Sequence, residues 1–282
     1  MGDNTVTVAD LTLHDGPFVP YDGDGYKWIL TRLGGWFDSP SPRADPLERP
    51  GADGDYDGNP TQDSRLVIVE GTVTAPDRVA LQVAMDRVNA VLTGATRYGT
   101  LTVDEVARGM SRQAVVRLGG QTVVARTGPT TADLSFSLFA PDPRRYSSEL
   151  HSVTVGRYMP GGGFSFPASF PIPFGTNGSD GTVTVTNAGT ASTWPVLRFS
   201  GPSTNPYAKR VGDGTIAAGL TLVSGQELVV DCGLRSVLLG SASRRQFLTA
   251  DDFFALPPGQ SQIYFSADDG AGELTVEWRD AW

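Results

Sequence analysis

The chain has 282 residues, a formal net charge of −9 and a pI near 4.7. That balance argues against duplex nucleic acid as the main ligand, because phosphate binding needs a basic footprint. The length exceeds what one modest core usually serves, and 34 Gly and 20 Pro beside 39% hydrophobic residues fit turn-rich β domains, so two domains are expected.

From the N-terminus, Val6, Val8, Leu11 and Leu13 alternate as one strand with a slip in register near Asp10. His14-Asp15-Gly16-Pro17 is turn chemistry, Tyr26–Leu30 is a second strand, and Gly34-Gly35-Trp36 closes the block. No basic-then-apolar leader opens the sequence, and no apolar run approaches the ~20 residues that span a bilayer. The expectation is a protein made in a cytoplasm, with no membrane partner.

Between Asp38 and Asp63 the alternation stops. Seven acids (Asp38, Asp45, Glu48, Asp53, Asp55, Asp57, Asp63) face two bases (Arg43, Arg49), a local balance of −7 + 2 = −5. The Pro and Gly content predicts a long loop over 38–63, of a kind usually kept for contacts. Asp53-Gly54-Asp55-Tyr56-Asp57-Gly58 matches the first half of a calcium loop, but Ser64 stands where the bidentate carboxylate belongs and no helix flanks it. An acidic contact loop is the preferred reading over weak calcium binding, and no metal or other cofactor is assigned.

Arg65–Val73 reads as a strand. A helix follows over about 76–93, with Pro76 in its first turn, Asp77 against its dipole and Gly94 after its last turn. Leu81, Ala84, Met85, Val88, Val91 and Leu92 share one face and predict packing on a sheet. Strands at Gly99–Val103, Gln113–Leu118, Thr122–Arg126 and Thr131–Phe139 complete an α+β half. Pro141, Pro143 and the charges around them mark a domain boundary in Asp142–Leu150, giving domains 1–146 and 147–282.

Beyond it only strands are read: Ser152–Arg157, Gly163–Phe166, Thr182–Thr186, Pro195–Ser200, Leu220–Val223, Glu227–Asp231, Ser236–Leu239, Gln262–Ser266 and Gly272–Trp278. Their spacing points to a sandwich or jelly roll. Asn187-Ala188-Gly189 and Ser224-Gly225-Gln226 are read as tight turns, with Gly or Asn supplying positive φ. The lone cysteine, Cys232, rules out an internal disulfide and reads as a small buried hydrophobe.

Catalytic chemistry finds little footing. His14 and His151 are the two histidines, and neither stands in a nucleophile-elbow or papain-like context. Asp251-Asp252 and Asp268-Asp269 are ordinary exposed turn pairs rather than a hydrolase dyad, and Gly161-Gly162-Gly163 lacks the helix and lysine of a phosphate loop. Trp194 and Tyr207 are the candidate glycan contacts, by stacking, against the commoner fate of sheet aromatics, burial.

Several motifs together carry a family resemblance. They are Arg49-Pro50-Gly51-Ala52-Asp53-Gly54-Asp55-Tyr56-Asp57-Gly58, Arg65–Val73, Ala75-Pro76-Asp77-Arg78, and Leu134–Leu138 running into Ala140–Ser147. In the second half they are Val185–Gly189, Trp194–Gly201, Asn205-Pro206, and Leu220–Gly225 with Leu228–Asp231. In this order and spacing the chain resembles the distal tail proteins (Dit) of long-tailed bacteriophages, in particular the minor tail proteins of phages of actinobacteria. The resemblance implies a mainly β protein with two parts: a tail-tube-like β-sandwich carrying one α-helix, then a galectin-like or jelly-roll β-sandwich. It implies a structural virion protein without catalytic residues, at the distal end of the tail. There a homohexameric ring would join the tail tube protein to the tail tip or hub (tail-associated lysin-like) protein and serve as a platform for receptor-binding proteins, with viral DNA crossing an unsticking lumen. Arg49, Asp53, Asp55, Tyr56 and Asp57 are the candidate interface residues. The alternative is a carbohydrate-binding adhesin of the tail tip.

Overall fold

A computed structural model describes residues 4–44, 46–57, 60–93, 97–159 and 179–282. The chain divides into two units, one up to Ser148 and one over Glu149–Trp282.

In the first unit nine strands form one sheet. Its order is Val123–Arg126, Thr131–Ala140, Arg65–Thr74, Lys27–Gly34, Leu11–His14, Thr5–Val8, Tyr98–Glu105, Met110–Leu118 and Tyr146–Ser147. The pairings are antiparallel except that of Leu11–His14 with Lys27–Gly34. Two further pairs, Arg117↔Phe139 and Leu118↔Leu138, join strands from the two ends of that order. The expected sandwich is therefore one sheet closed on itself, which hides most of its edges. The alternation is explained by burial: Val67, Val69, Leu101, Val103, Ala114, Val116, Phe136 and Leu138 all point into a common core with Trp28 and Trp36.

Three sequence expectations in this unit are corrected. The first strand is a hairpin: Val8 pairs with Leu11, and Ala9 turns the chain at φ 53. What looked like a bulge is a tight turn of two residues. The helix runs over Arg78–Ala90, shorter than 76–93. Pro76 precedes its cap instead of standing in its first turn, and Asp77 is the cap itself, its carboxylate accepting from the backbone N–H of Val79 and Ala80, both at 2.8 Å. Leu81, Ala84 and Val88 are buried, while Val91 and Leu92 extend the same core after the helix has ended. Gly94 lies outside the described residues. Replacing the cap, Asp77→Ala, is expected to lower unfolding stability by about 1 kcal/mol, read as a shifted urea midpoint at constant slope.

The third correction concerns 38–63. In place of a patternless loop, the structure has an arm with two short antiparallel rungs, Pro42–Arg43 with Thr61–Gln62 and Leu47–Glu48 with Asp55–Tyr56. Gly51 and Gly54, at φ 74 and φ 83, form its tip. Two-residue strands exposed on both faces leave no alternation to read, so composition hides them.

The second unit packs two sheets face to face. One runs His151–Gly156, Glu273–Trp278, Val196–Ser200, Glu227–Asp231, Ser236–Leu239 and Ala242–Ser243. The other runs Thr182–Asn187, Gly259–Ser266, Tyr207–Arg210, Thr215–Ala218 and Leu248–Asp251. Leu197, Phe199, Leu228 and Val276 from the first meet Val185, Ile216, Ile263 and Phe265 from the second, with the rings of Phe199 and Phe265 6.0 Å apart. Cys232 is buried here, and burial, aided by the Asp231 carboxylate, pushes its thiol up to about 12. The expected strand Gly163–Phe166 lies outside the described residues.

One turn reading fails in this unit. Thr182–Asn187 pairs with Gly259–Ser266, and Val196–Ser200 pairs with Glu227–Asp231 and Glu273–Trp278, so the strands flanking Asn187-Ala188-Gly189 belong to different sheets. Gly189 is needed for close approach: a Cβ there would run into the backbone carbonyl of Ala281. Gly225, at φ 81, does supply the positive φ expected of its turn.

Candidate assembly surfaces

The arm is the most exposed element of the first unit. Every described residue of 41–63 is exposed, including Leu47 (70%) and Tyr56 (59%). A two-stranded ladder of this size has no core and is marginal in water by itself. Its apolar residues therefore find little to pack on within the arm. The structure brings Arg49 and Tyr56 together, the guanidinium 5.1 Å from the ring centre. The Arg49 N–H also donates to the Gly54 carbonyl at 3.3 Å. Asp53, Asp55 and Asp57 stand around that tip and rung, and Gly58 and Asn59 lie outside the described residues. Among the described residues, no group of three or more acidic, His or Cys side chains is placed to hold a metal ion.

The base of the arm is built differently. Arg65 is buried and donates through Nη1 to the carbonyls of Gly35 (2.7 Å), Trp36 (3.1 Å) and Asp38 (2.6 Å), and through Nε to that of Pro143 (2.9 Å). Arg145 donates to the Trp36 carbonyl at 2.9 Å and lies over the buried Trp36 ring. Beside them the buried Arg112 forks onto the Glu105 carboxylate, Nε to Oε1 at 2.7 Å and Nη2 to the same oxygen. Burial first, then the charges of Arg112 and Arg65, lowers Arg145 to about 10, so it stays cationic at neutral pH. Arg65 is lowered as well, by burial, with Asp38 opposing. These two arginines fix the backbone from which the arm departs.

The buried polar residues Arg65, Glu105, Arg112 and Asn187 are not among the candidates read from the sequence. A signal for each was present: each has the strand parity of buried neighbours, Arg65 with Val67 and Val69, Glu105 with Leu101 and Val103, Arg112 with Ala114 and Val116, Asn187 with Val185.

The two candidate glycan contacts are not brought together. Trp194 is half-buried against the core of the second unit, just before a strand of the six-stranded sheet. Tyr207, also half-buried, opens a strand of the five-stranded sheet, its ring 5.9 Å from that of Tyr264. Of the histidines, His151 lies 3.3 Å from the Asp280 carboxylate, and His14 ends the second strand of the first hairpin.

Comparisons with known proteins bear on this arrangement. Residues 188–282 match the family model described as the siphovirus-type tail component, C-terminal domain. No curated protein sequence matches the chain. Among solved structures, the Dit protein (gp 19.1) of phage SPP1, described as a paradigm of the hub adsorption apparatus in phages infecting Gram-positive bacteria, is similar over 99% of each chain. The TM-score is 0.64 at 14% identity. A chain of the phage P2 baseplate in its activated conformation with Ca is similar over 98% of this chain and 97% of that one. Its TM-score of 0.48 at 10% identity is too low to bear on the reading. Among its described residues the chain is mainly β with one α-helix. Residues 188–282 are thus similar to the siphovirus-type tail component domain, and the fold is similar to that of SPP1 Dit.

Proposed function

We propose that this protein is the structural hub at the distal end of a siphovirus tail, a baseplate component without catalytic activity. The tail-component domain at residues 188–282 carries this reading, and the likeness of the whole fold to SPP1 Dit accords with it. The first unit forms the ring, a homohexamer, which joins the tail tube protein to the tip protein. The second unit presents the surface on which receptor-binding proteins sit. The phage is of the type that infects actinobacteria. The arm supports the ring assignment: an exposed, coreless ladder on a rigid base suits a contact made on assembly, and Arg49, Asp53, Asp55, Tyr56 and Asp57 carry it. A ring needs heterologous contacts that close on themselves, and such an arm provides one half of each. DNA crosses the lumen without specific binding, in keeping with the net charge of −9. Less supports the glycan-adhesin alternative, since Trp194 and Tyr207 are half-buried, Trp194 just before a strand of the six-stranded sheet and Tyr207 in a strand of the five-stranded one.

Immunogold electron microscopy of virions with antibody to this chain tests the proposal. Label should sit at the tail end distal to the capsid. Label on the capsid, or none on the tail, would overturn it.

A further inference from the structure

The second unit carries a surface that its fold does not use. Between Cys232 and Leu248 the sequence holds three arginines and no acid, in a chain whose net charge is −9. Leu234 (79%) and Phe247 (41%) are exposed there. Arg235 is exposed, and its carbonyl accepts from Arg245 Nη1 at 2.5 Å, which draws the two arginine-bearing segments together. Arg244 lies over the Phe247 ring at 5.8 Å and Arg245 over Phe253 at 5.3 Å. Two acids border the patch: Asp251 lies 3.8 Å from Arg245, and Asp231 accepts from the Leu234 N–H at 2.8 Å. Ala242–Ser243, the last strand of the six-stranded sheet, borders this patch. Apolar residues ringed by guanidinium groups make a surface for an acidic segment that carries apolar residues of its own.

The chain contains such a segment. The arm has a balance of −5 and exposes Leu47 and Tyr56 beside Glu48, Asp53, Asp55 and Asp57. All its described residues from 41 to 63 remain exposed in the single chain, so it is free to meet another copy. Resting on the ring reading above, we propose that the Leu234–Phe247 patch of one copy receives the acidic arm of a second copy. Arm and patch are different surfaces, so the contact is heterologous and repeats from copy to copy around the ring that the first units form. Exposed charges dominate it, so it weakens as salt shortens the screening length.

A reciprocal charge exchange in the full chain tests this. Variant A carries Asp53→Lys, Asp55→Lys and Asp57→Lys, whose side chains make no fold hydrogen bond among those described. Its arm moves from −5 to −5 + 6 = +1. Variant B carries Arg235→Glu and Arg244→Glu, and its patch moves from +3 to +3 − 4 = −1. Each alone should raise the apparent dissociation constant for self-association at least about tenfold in sedimentation velocity, with an unchanged urea midpoint. An equimolar mixture should recover assembly, because A's arm fits B's patch and B's arm fits A's patch. Wild-type self-association should also weaken with added NaCl. If the wild type assembles and A and B assemble equally well, or the mixture does not recover, the arm–patch contact is wrong while the ring stands. If wild-type association ignores salt, the arm–patch contact is likewise wrong. A wild type that stays monomeric at every concentration sinks the ring as well. Should either variant unfold early, Asp→Asn and Arg→Gln at the same positions replace it, with a smaller loss expected in each and none regained on mixing.

Discussion

Arg65→Met is expected to cost about 3–5 kcal/mol of stability in the first unit, the largest loss from one side chain at the base of the arm. The methionine fills most of the volume and removes four donated hydrogen bonds. The carbonyls of Gly35, Trp36, Asp38 and Pro143 would lose those charge-assisted partners. Only the Trp36 carbonyl keeps a described partner, the Arg145 guanidinium. Each buried acceptor left without a partner costs about 1–3 kcal/mol, partly offset because the variant no longer buries a charge. Arg65→Lys should recover little, since one ammonium on a flexible stem cannot reach carbonyls on two separate segments as a planar fork does. Urea unfolding followed by tryptophan fluorescence reports the loss. A second readout is tied to the arm: limited proteolysis between residues 38 and 63 should accelerate more than the global stability change accounts for, because the clamp holds the backbone at 35–38. A loss below about 1 kcal/mol, or unchanged arm cleavage, would show that Arg145 and Trp36 hold the base without Arg65.

How far these features were readable follows from what a one-sided strand displays. Val67, Val69, Phe136 and Leu138 alternate because one face of each strand is buried, and every long strand of the first unit was accordingly visible. Closure of the sheet was not. It rests on two residue pairs between strands about 20 residues apart, and alternation says which face is buried without saying which strand lies alongside. The arm's rungs were hidden for the opposite reason, being exposed on both faces. Thr215–Ala218 and Leu248–Asp251 were missed because small or mixed residues blur a four-residue pattern. The acidity and isolation of the arm were plain in the composition, and with them the candidate interface residues. Arg65 was legible only as the first residue of a strand and Asn187 only as a turn former, although the parity of each with its buried neighbours places it inside.

Asn187 is the second unit's counterpart, and Asn187→Ala is expected to cost about 3–4 kcal/mol there. The residue is 1% exposed with both ends of its amide in use. Its Nδ2 donates to the carbonyls of Ala191 (2.8 Å) and Leu256 (3.1 Å), and its Oδ1 accepts from the N–H of Gly189 (3.0 Å) and Ala281 (3.3 Å). One side chain thereby joins the end of Thr182–Asn187, the approach to Gly259–Ser266 and the C-terminal residues after Glu273–Trp278. Asp280, accepting from the Ala188 N–H at 2.9 Å, and the Ala191–Ala281 bridge reinforce the junction. Asn187→Asp separates the two halves of the amide. Its carboxylate keeps the acceptor but sets a buried negative charge against two carbonyl oxygens, so its folded-state pKa must rise above the unfolded value of about 4. A group with a raised folded pKa binds more protons when folded. The variant should therefore resemble Asn187→Ala or better below pH 4, and become less stable as pH rises through that value toward neutrality. Urea midpoints at pH 4 and pH 7 measure this directly. A variant whose stability relative to wild type did not fall between those two pH values would mean that water enters the junction and solvates the charge. Asn187 would then be a peripheral turn residue, and not the tie between the two sheets and the C-terminus.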